Sequence, residues 1–231
     1  MDFIIDGFRQ AFALLFSFNA ETYAAVYVTM LSTVYAMIAT MIIGMPLGFV
    51  LGYYRFPGRR FIRLISDTLL SFPTVLVGLL VYAFISRRGP LGELGLLFTI
   101  QGMAVGQTIL ALPIAVSLTA QSVEGMDVRF KQTLLTLGAR GQKALKATFW
   151  ELRYALLLVC VTAFGRIFTE VGVAMMLGGN IKWETRTITT AIALETGKGE
   201  FAQGIALGIV LLLVAFLINA ALTILRRRER A

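Results

Sequence analysis

The sequence predicts an all-α fold, a polytopic membrane bundle of five core transmembrane helices with an N-terminal interfacial helix and a helical loop on one side. Three observations predict it. Mean hydropathy is +0.80 over 231 residues, with only 15% charged residues, too little polar surface for an ordinary soluble domain of that length. Five apolar stretches each exceed the ~20 helical residues needed to cross ~30 Å of hydrocarbon. Finally, the lysines and arginines cluster in alternate connections between those stretches.

In chain order, residues 3–18 come first. This run is short and contains Asp6 and Arg9, with Asn19 and Glu21 directly after it, so it reads as an interfacial helix rather than a sixth span. It lacks a basic leading region and a small-residue cleavage site, and so does not read as a removed signal peptide. The spans follow at approximately 24–53, 61–85, 96–120, 152–176 and 202–225. The resulting division is 1–22 for the interfacial helix, 23–225 for the transmembrane domain and 226–231 for a basic tail.

Topology follows from the basic residues. Arg55, Arg59, Arg60 and Arg63 lie between the first two spans, and Arg129, Lys131, Arg140, Lys143, Lys146 and Arg153 between the third and fourth. Arg226, Arg227, Arg228 and Arg230 form the tail. The other side holds Arg9, Arg87, Arg88, Lys182, Arg186 and Lys198, with Arg166 inside the fourth span. The richer side should be cytoplasmic, which puts the C-terminus inside the cell. The net charge of +8 is thereby explained by topology, without nucleic acid.

Several chemistries are excluded. There is no histidine, hence no His-ligated metal site and no His-based triad. No metal-binding cluster is expected. The single Cys160 lies inside a span and reads as a small apolar residue. Gly138-Ala139-Arg140-Gly141-Gln142-Lys143 lacks the spacing of a phosphate-binding loop, and no convergent acid, base and nucleophile set is visible. The chain is not expected to be an enzyme or to bind a cofactor.

Within the spans, Pro46, Pro73 and Pro113 interrupt the first three. Each removes a helical hydrogen bond, either bending the helix for packing or opening backbone toward a polar cavity. Gly44, Gly48 and Gly52 recur every fourth residue and form one smooth ridge, suited to close helix contact.

The largest basic connection carries a helix-compatible run over 128–137. Gly138 can end it in the left-handed conformation, and a second helix can start near Gly141 and run to Trp150. Leu134, Leu135, Leu137 and Ala139 give the turn an apolar surface edged by Lys131, Arg140 and Lys143. Such a turn suits either a groove in a partner protein or an anionic lipid surface. Spacing alone leaves both open. The run Gln132-Thr133-Leu134-Leu135-Thr136-Leu137-Gly138-Ala139 resembles the cytoplasmic coupling-helix loop of binding-protein-dependent ABC importer permeases. That family's Glu-Ala-Ala, three residues, Gly signature has Gln132 in place of Glu here. Its place after the third of five spans matches as well. The resemblance extends over about 24–225.

Two further runs resemble the oxyanion branch of that family, the permeases for molybdate, tungstate and sulfate. The first is Arg166-Ile167-Phe168-Thr169-Glu170-Val171-Gly172, in which Arg166 and Glu170 stand one helical turn apart. They read as a mutually neutralising intramembrane pair in preference to an anion site. The second starts at Gly178-Gly179-Asn180-Ile181 and continues through Thr185, Arg186, Thr187, Thr189 and Thr190 to Thr196, on the outer side. It is more similar to tungstate permeases than to molybdate permeases. Arg186 and the hydroxyls are able to line an anion entrance. As a whole the segment reads as a periplasmic gate and a contact for a binding protein, with Gly178 and Gly179 as a flexible hinge.

The resemblance implies the permease subunit of an ATP-driven oxyanion importer, most simply for tungstate, with molybdate or sulfate as the alternative. It further implies two copies of a cytoplasmic ABC ATPase carrying ATP and Mg, a periplasmic or lipid-anchored oxyanion-binding protein, and a second copy of this chain. Its place would be the plasma membrane of a prokaryote, surrounded by membrane lipid. An autonomous ion-coupled carrier is the reading from a different class. It would need an unpaired acid within the spans, and Asp67 has Arg63 one turn before it.

Overall fold

The computed structural model describes the backbone of residues 2–17, 19–139 and 141–228. It describes their side chains except at 2–4, 10, 11, 14, 15, 128, 131, 135, 142 and 221–228. Regular structure among these residues is entirely helical. The α-helices are α1 (Asp2–Phe16), α2 (Ala20–Tyr53), α3 (Arg59–Leu69), α4 (Thr74–Ile85), α5 (Ile100–Glu124), α6 (Val128–Thr136), α7 (Gln142–Glu151), α8 (Arg153–Phe168), α9 (Gly172–Gly178), α10 (Ile188–Gly197) and α11 (Phe201–Arg228), and a 3-10 turn covers Gly92–Leu94. The polytopic helical bundle expected from the sequence is the fold observed.

Three of the five expected spans are single helices long and apolar enough to cross a membrane, namely α2, α5 and α11. The other two depart from the expected continuous form. The stretch 61–85 is two helices, α3 and α4, interrupted over 70–73. Pro73 is the cause: it has no N–H to give a preceding turn, and its extended backbone (ψ 125°) makes it the N-cap of α4. The stretch 152–176 is likewise divided between α8 and α9, with α7 and α8 meeting at 62°. By contrast, α2 and α5 continue as helix through Pro46 and Pro113. Helix α11 runs on to Arg228, into the basic stretch. Residues 229–231 lie outside the described residues.

Two compact units are present, and α2, α5 and α8 contribute to both. The first unit comprises residues 1–38, 72–110 and 164–231. Here α1 and α10 lie against α11, and α4 against α9. Asn19 opens α2 by accepting the Thr22 N–H at 3.0 Å. Val28, Val77, Val81, Met103, Val173 and Leu177 pack as the core of this unit. The first helix is no span by length, at 15 residues. Gly7 puts it against α11, where an added Cβ would lie 2.5 Å from Ile205 Cγ2. Ile5, Phe8 and Phe12 remain exposed.

The second unit comprises residues 39–71 and 111–163. The glycine ridge does here what its spacing predicts. A Cβ would lie 2.6 Å from Ala115 Cβ at Gly44, 2.5 Å from the Val116 carbonyl oxygen at Gly48, and 2.7 Å from the Ala120 carbonyl oxygen at Gly52. No other residue permits α2 and α5 to approach this closely. Next to the ridge, Phe49 stacks between Tyr53 (5.3 Å) and Phe149 (4.7 Å), over a core of Val123, Met126, Leu152 and Leu156. Cys160 is half-buried, its Sγ 3.5 Å from Met41 Sδ.

Candidate functional site

The turn between α6 and α7 is built as its glycines require. After Thr136 the chain enters the left-handed region at Gly138 (φ +67°), and the Ala139 N–H bonds back to the Leu134 carbonyl at 2.9 Å. Gly141 (φ +56°) then serves as N-cap of α7. Gln132, Leu137 and Gly138 are exposed and Leu134 and Ala139 half-buried. Leu137 is 76% exposed, an apolar side chain presented outward on a loop tip. The side chains of Leu135 and Lys131, and Arg140 as a whole, lie outside the described residues. At the far end of α7, Arg153 stacks over the rings of Trp150 (4.9 Å) and Tyr154 (4.4 Å).

Arg166 and Glu170 do stand together, with Nη1 and Oε2 3.7 Å apart. That distance makes an ion pair without a hydrogen bond. The Glu170 carboxylate is 2% exposed and that of the Arg166 side chain 38%, so burial falls almost wholly on the acid. Its firmer partner is the Val173 N–H, which donates to Oε1 at 3.1 Å. Glu170 thus satisfies the open end of α9 where the chain resumes helix after the break.

In the segment from Gly178 to Thr190, most of the polar residues have partners within the chain. Thr187, Thr189 and Thr190 are buried. Thr187 is the N-cap of α10: its Oγ1 accepts the Thr190 N–H (3.2 Å), and its own N–H donates to Thr190 Oγ1 (3.0 Å). Thr189 Oγ1 donates to the Glu170 carbonyl (3.0 Å), and Thr29 Oγ1 accepts the Ile188 N–H (2.9 Å). Gly178 and Gly179 are closely packed. A Cβ at Gly178 would lie 2.3 Å from Met103 Sδ, and Gly179 (φ +70°) ends α9 against Phe98. The glycines are demanded by close packing and by the helix stop.

Arg186 is also occupied. Its Nη1 donates to Glu21 Oε1 (2.6 Å), Nε to Asn180 Oδ1 (3.2 Å) and Nη2 to the Asn180 carbonyl (3.5 Å), while Lys182 Nζ holds Glu21 Oε2 at 2.7 Å. Arg186 and Lys182 thus share the single Glu21 carboxylate. What the segment does present outward is 181–184, including Trp183, whose ring lies 5.2 Å from Lys182 Nζ.

Residues 44–231 match the family described as binding-protein-dependent transport system inner membrane components. The chain belongs to that family. Among its relatives, a tungstate uptake system permease protein of Campylobacter jejuni is 52% identical over 219 residues, covering 95% of this chain and 92% of the relative. A tungstate uptake system permease protein of Peptoclostridium acidaminophilum is 36% identical over 222 residues, covering 96% and 97%. The molybdenum transport system permease protein of Escherichia coli is 30% identical over 188 residues, covering 76% and 82%.

As a member of this family the chain is a multi-pass permease of the prokaryotic plasma membrane, a transport component and not a catalyst. Membership gives it two classes of partner, an ABC ATPase and a substrate-binding protein. In this permease the geometry of the α6–α7 turn, the Arg166–Glu170 proximity and the glycine ridge were all legible from spacing. Glu21 as the anchor of Arg186 was not, since 165 residues separate them. Sequence gave no pairing signal for Glu124 either, which takes Arg59 and Arg63 from 61 or more positions away. The one signal available was the excess of arginine over 55–63, which asks for some counter-charge.

Proposed function

We propose that this permease carries tungstate, as one of two identical subunits around a translocation path driven by an ATPase. The 52% identity to a tungstate uptake permease over nearly the whole of both chains carries this reading. The α6–α7 turn, with exposed Leu137, docks on the cytoplasmic ATPase, of which two copies bind ATP and Mg. The C-terminus lies on the same side, consistent with the excess of basic residues there. On the opposite face the exposed tip at 181–184 meets the oxyanion-binding protein, and α9, the tip and α10 move as a packed body in place of a glycine hinge.

Molybdate is the second reading, supported by the 30% identical molybdenum permease. Tungstate and molybdate are both tetrahedral dianions, so the choice between them rests mainly with the soluble binding protein. Uptake of labelled tungstate into vesicles holding the complete complex, with unlabelled molybdate or sulfate as competitor, decides the matter. Tungstate uptake that needs ATP and resists a large molybdate excess is the expected result. Efficient displacement by an equal concentration of molybdate would sink the tungstate assignment.

A further inference from the structure

Helix α3 buries only Ser66, and its polar side chains are tied to neighbours without being buried. Arg59 donates to the Leu51 carbonyl (2.7 Å) and pairs with Glu124, which Arg63 also holds at 3.0 Å. Arg63 pairs in addition with Asp67 (3.2 Å), and Ser117 donates to the same carboxylate. Its apolar side is left outward, with Phe61 66%, Leu64 63% and Ile65 43% exposed. So much exposed apolar surface beside charged groups suits a membrane surface. At 11 residues, roughly 16 Å, α3 does not span a bilayer by itself, and it meets α4 at 105° in the interrupted second span.

At the N-terminal end of α3, Arg55, Arg59, Arg60 and Arg63 line an open cleft of about 490 Å³ together with Tyr53 and Glu124. Glu124 and Asp67 neutralise Arg59 and Arg63. Arg55 and Arg60 are exposed and have no carboxylate partner among the described residues, leaving two positive charges over. Tyr54 is exposed beside them, as amphipathic rings are at the level of lipid headgroups. An apolar helix face continuing from an unneutralised basic cleft is complementary to one molecule, an anionic phospholipid. The phosphate meets the arginines and the acyl chains meet the helix.

We propose that α3 is an interfacial helix forming a binding site for an anionic phospholipid, with Arg55 and Arg60 on the headgroup phosphate and Phe61, Leu64 and Ile65 on the acyl chains. The site belongs to the permease itself and does not depend on which anion is transported. The cleft alone would also suit free phosphate, and the apolar face alone would suit a second copy of the chain, so the test separates these occupants.

The test uses the full chain carrying Phe61→Trp in lipid nanodiscs, with fluorescence corrected for the two native tryptophans by subtracting the unmodified protein. Brominated phosphatidylglycerol should quench the new fluorophore at about tenfold lower mole fraction than brominated phosphatidylcholine, because two arginines at a membrane surface each favour an anionic lipid. Arg55→Gln with Arg60→Gln should abolish that preference while leaving quenching itself. If the double variant fails to fold, raising the salt concentration on the protein with both arginines intact should erode the same preference. Equal quenching by both lipids with the arginines in place would refute the site. Loss of the preference on adding millimolar inorganic phosphate would assign the cleft to free anion instead. Absence of quenching by either lipid would mean that a second copy covers α3, and would equally overturn the proposal.

Discussion

Glu170 holds the first turn of α9 through the N–H of Val173 at 3.1 Å, a closer contact than the 3.7 Å separating it from Arg166. The acid is buried and the base half-exposed, so the two residues are not energetically equivalent. A cap that satisfies a buried N–H matters more to folding than a loose ion pair with one partner exposed.

Glu170→Gln should therefore be tolerated, since the amide oxygen can still accept from Val173, whereas Glu170→Ala should cost about 1–3 kcal/mol by leaving that N–H unsatisfied. Arg166→Gln should change stability by less than about 1 kcal/mol. Thermal unfolding of the purified permease in detergent checks all three. Equal destabilisation by Glu170→Gln and Glu170→Ala would show that the charge, not the cap, is what counts.

Gly48→Val should be far more damaging than a change at Gly208, although both glycines lie in long apolar helices. At Gly48 a Cβ would meet the Val116 carbonyl oxygen at 2.5 Å, and at Gly208 nothing lies within 4 Å. Overpacking of this kind costs about 1–3 kcal/mol, against a gain of roughly 0.5–1 kcal/mol for Gly208→Ala from restricting the unfolded chain. Yield and melting temperature of the two variants, measured side by side, should move in opposite directions.

Leu137→Asp should leave the isolated permease as stable as before, because the side chain is 76% exposed and touches little of its own chain. Its effect should fall on assembly, lowering affinity for the ATPase by roughly thirtyfold or more if the leucine is a central anchor of that contact. Co-purification with the ATPase and ATP-dependent uptake are the readouts. An unchanged melting temperature with normal uptake would remove the turn from the docking surface.

Thr187→Ala should lower stability by about 1 kcal/mol through loss of the α10 cap. Thiol labelling provides an independent check on the outer segment. A cysteine at Thr187 should resist a membrane-impermeant maleimide, because the position is buried, and one at Trp183 should react readily. Rapid labelling at Thr187 would mean that this segment opens on its own, without its partners.

The sequence by itself determined the class of molecule, because hydropathy, span length and the distribution of arginine and lysine answer to the bilayer, which acts on each segment separately. It determined the α6–α7 turn for a similar reason: Gly138 and Gly141 carry their backbone requirements with them, whatever surrounds them. The four-residue spacings of Arg166 with Glu170, of Arg63 with Asp67 and of the α2 glycines were legible because a helix brings such positions together. Only the tertiary structure decided which charges are already spent and which hydroxyls are buried. Arg186 looks available until Glu21, from the start of α2, reaches it, and Thr187, Thr189 and Thr190 look like a polar lining until they are found capping α10 and tying it to Glu170. The ties of Arg186 to Glu21 and of Thr189 to Glu170 join segments far apart in the chain, and no local periodicity records them, whereas the Thr187–Thr190 capping box is local. The same holds for α3, which the sequence places within a span over 61–85, while only the structure shows its ties to Leu51, Ser117 and Glu124.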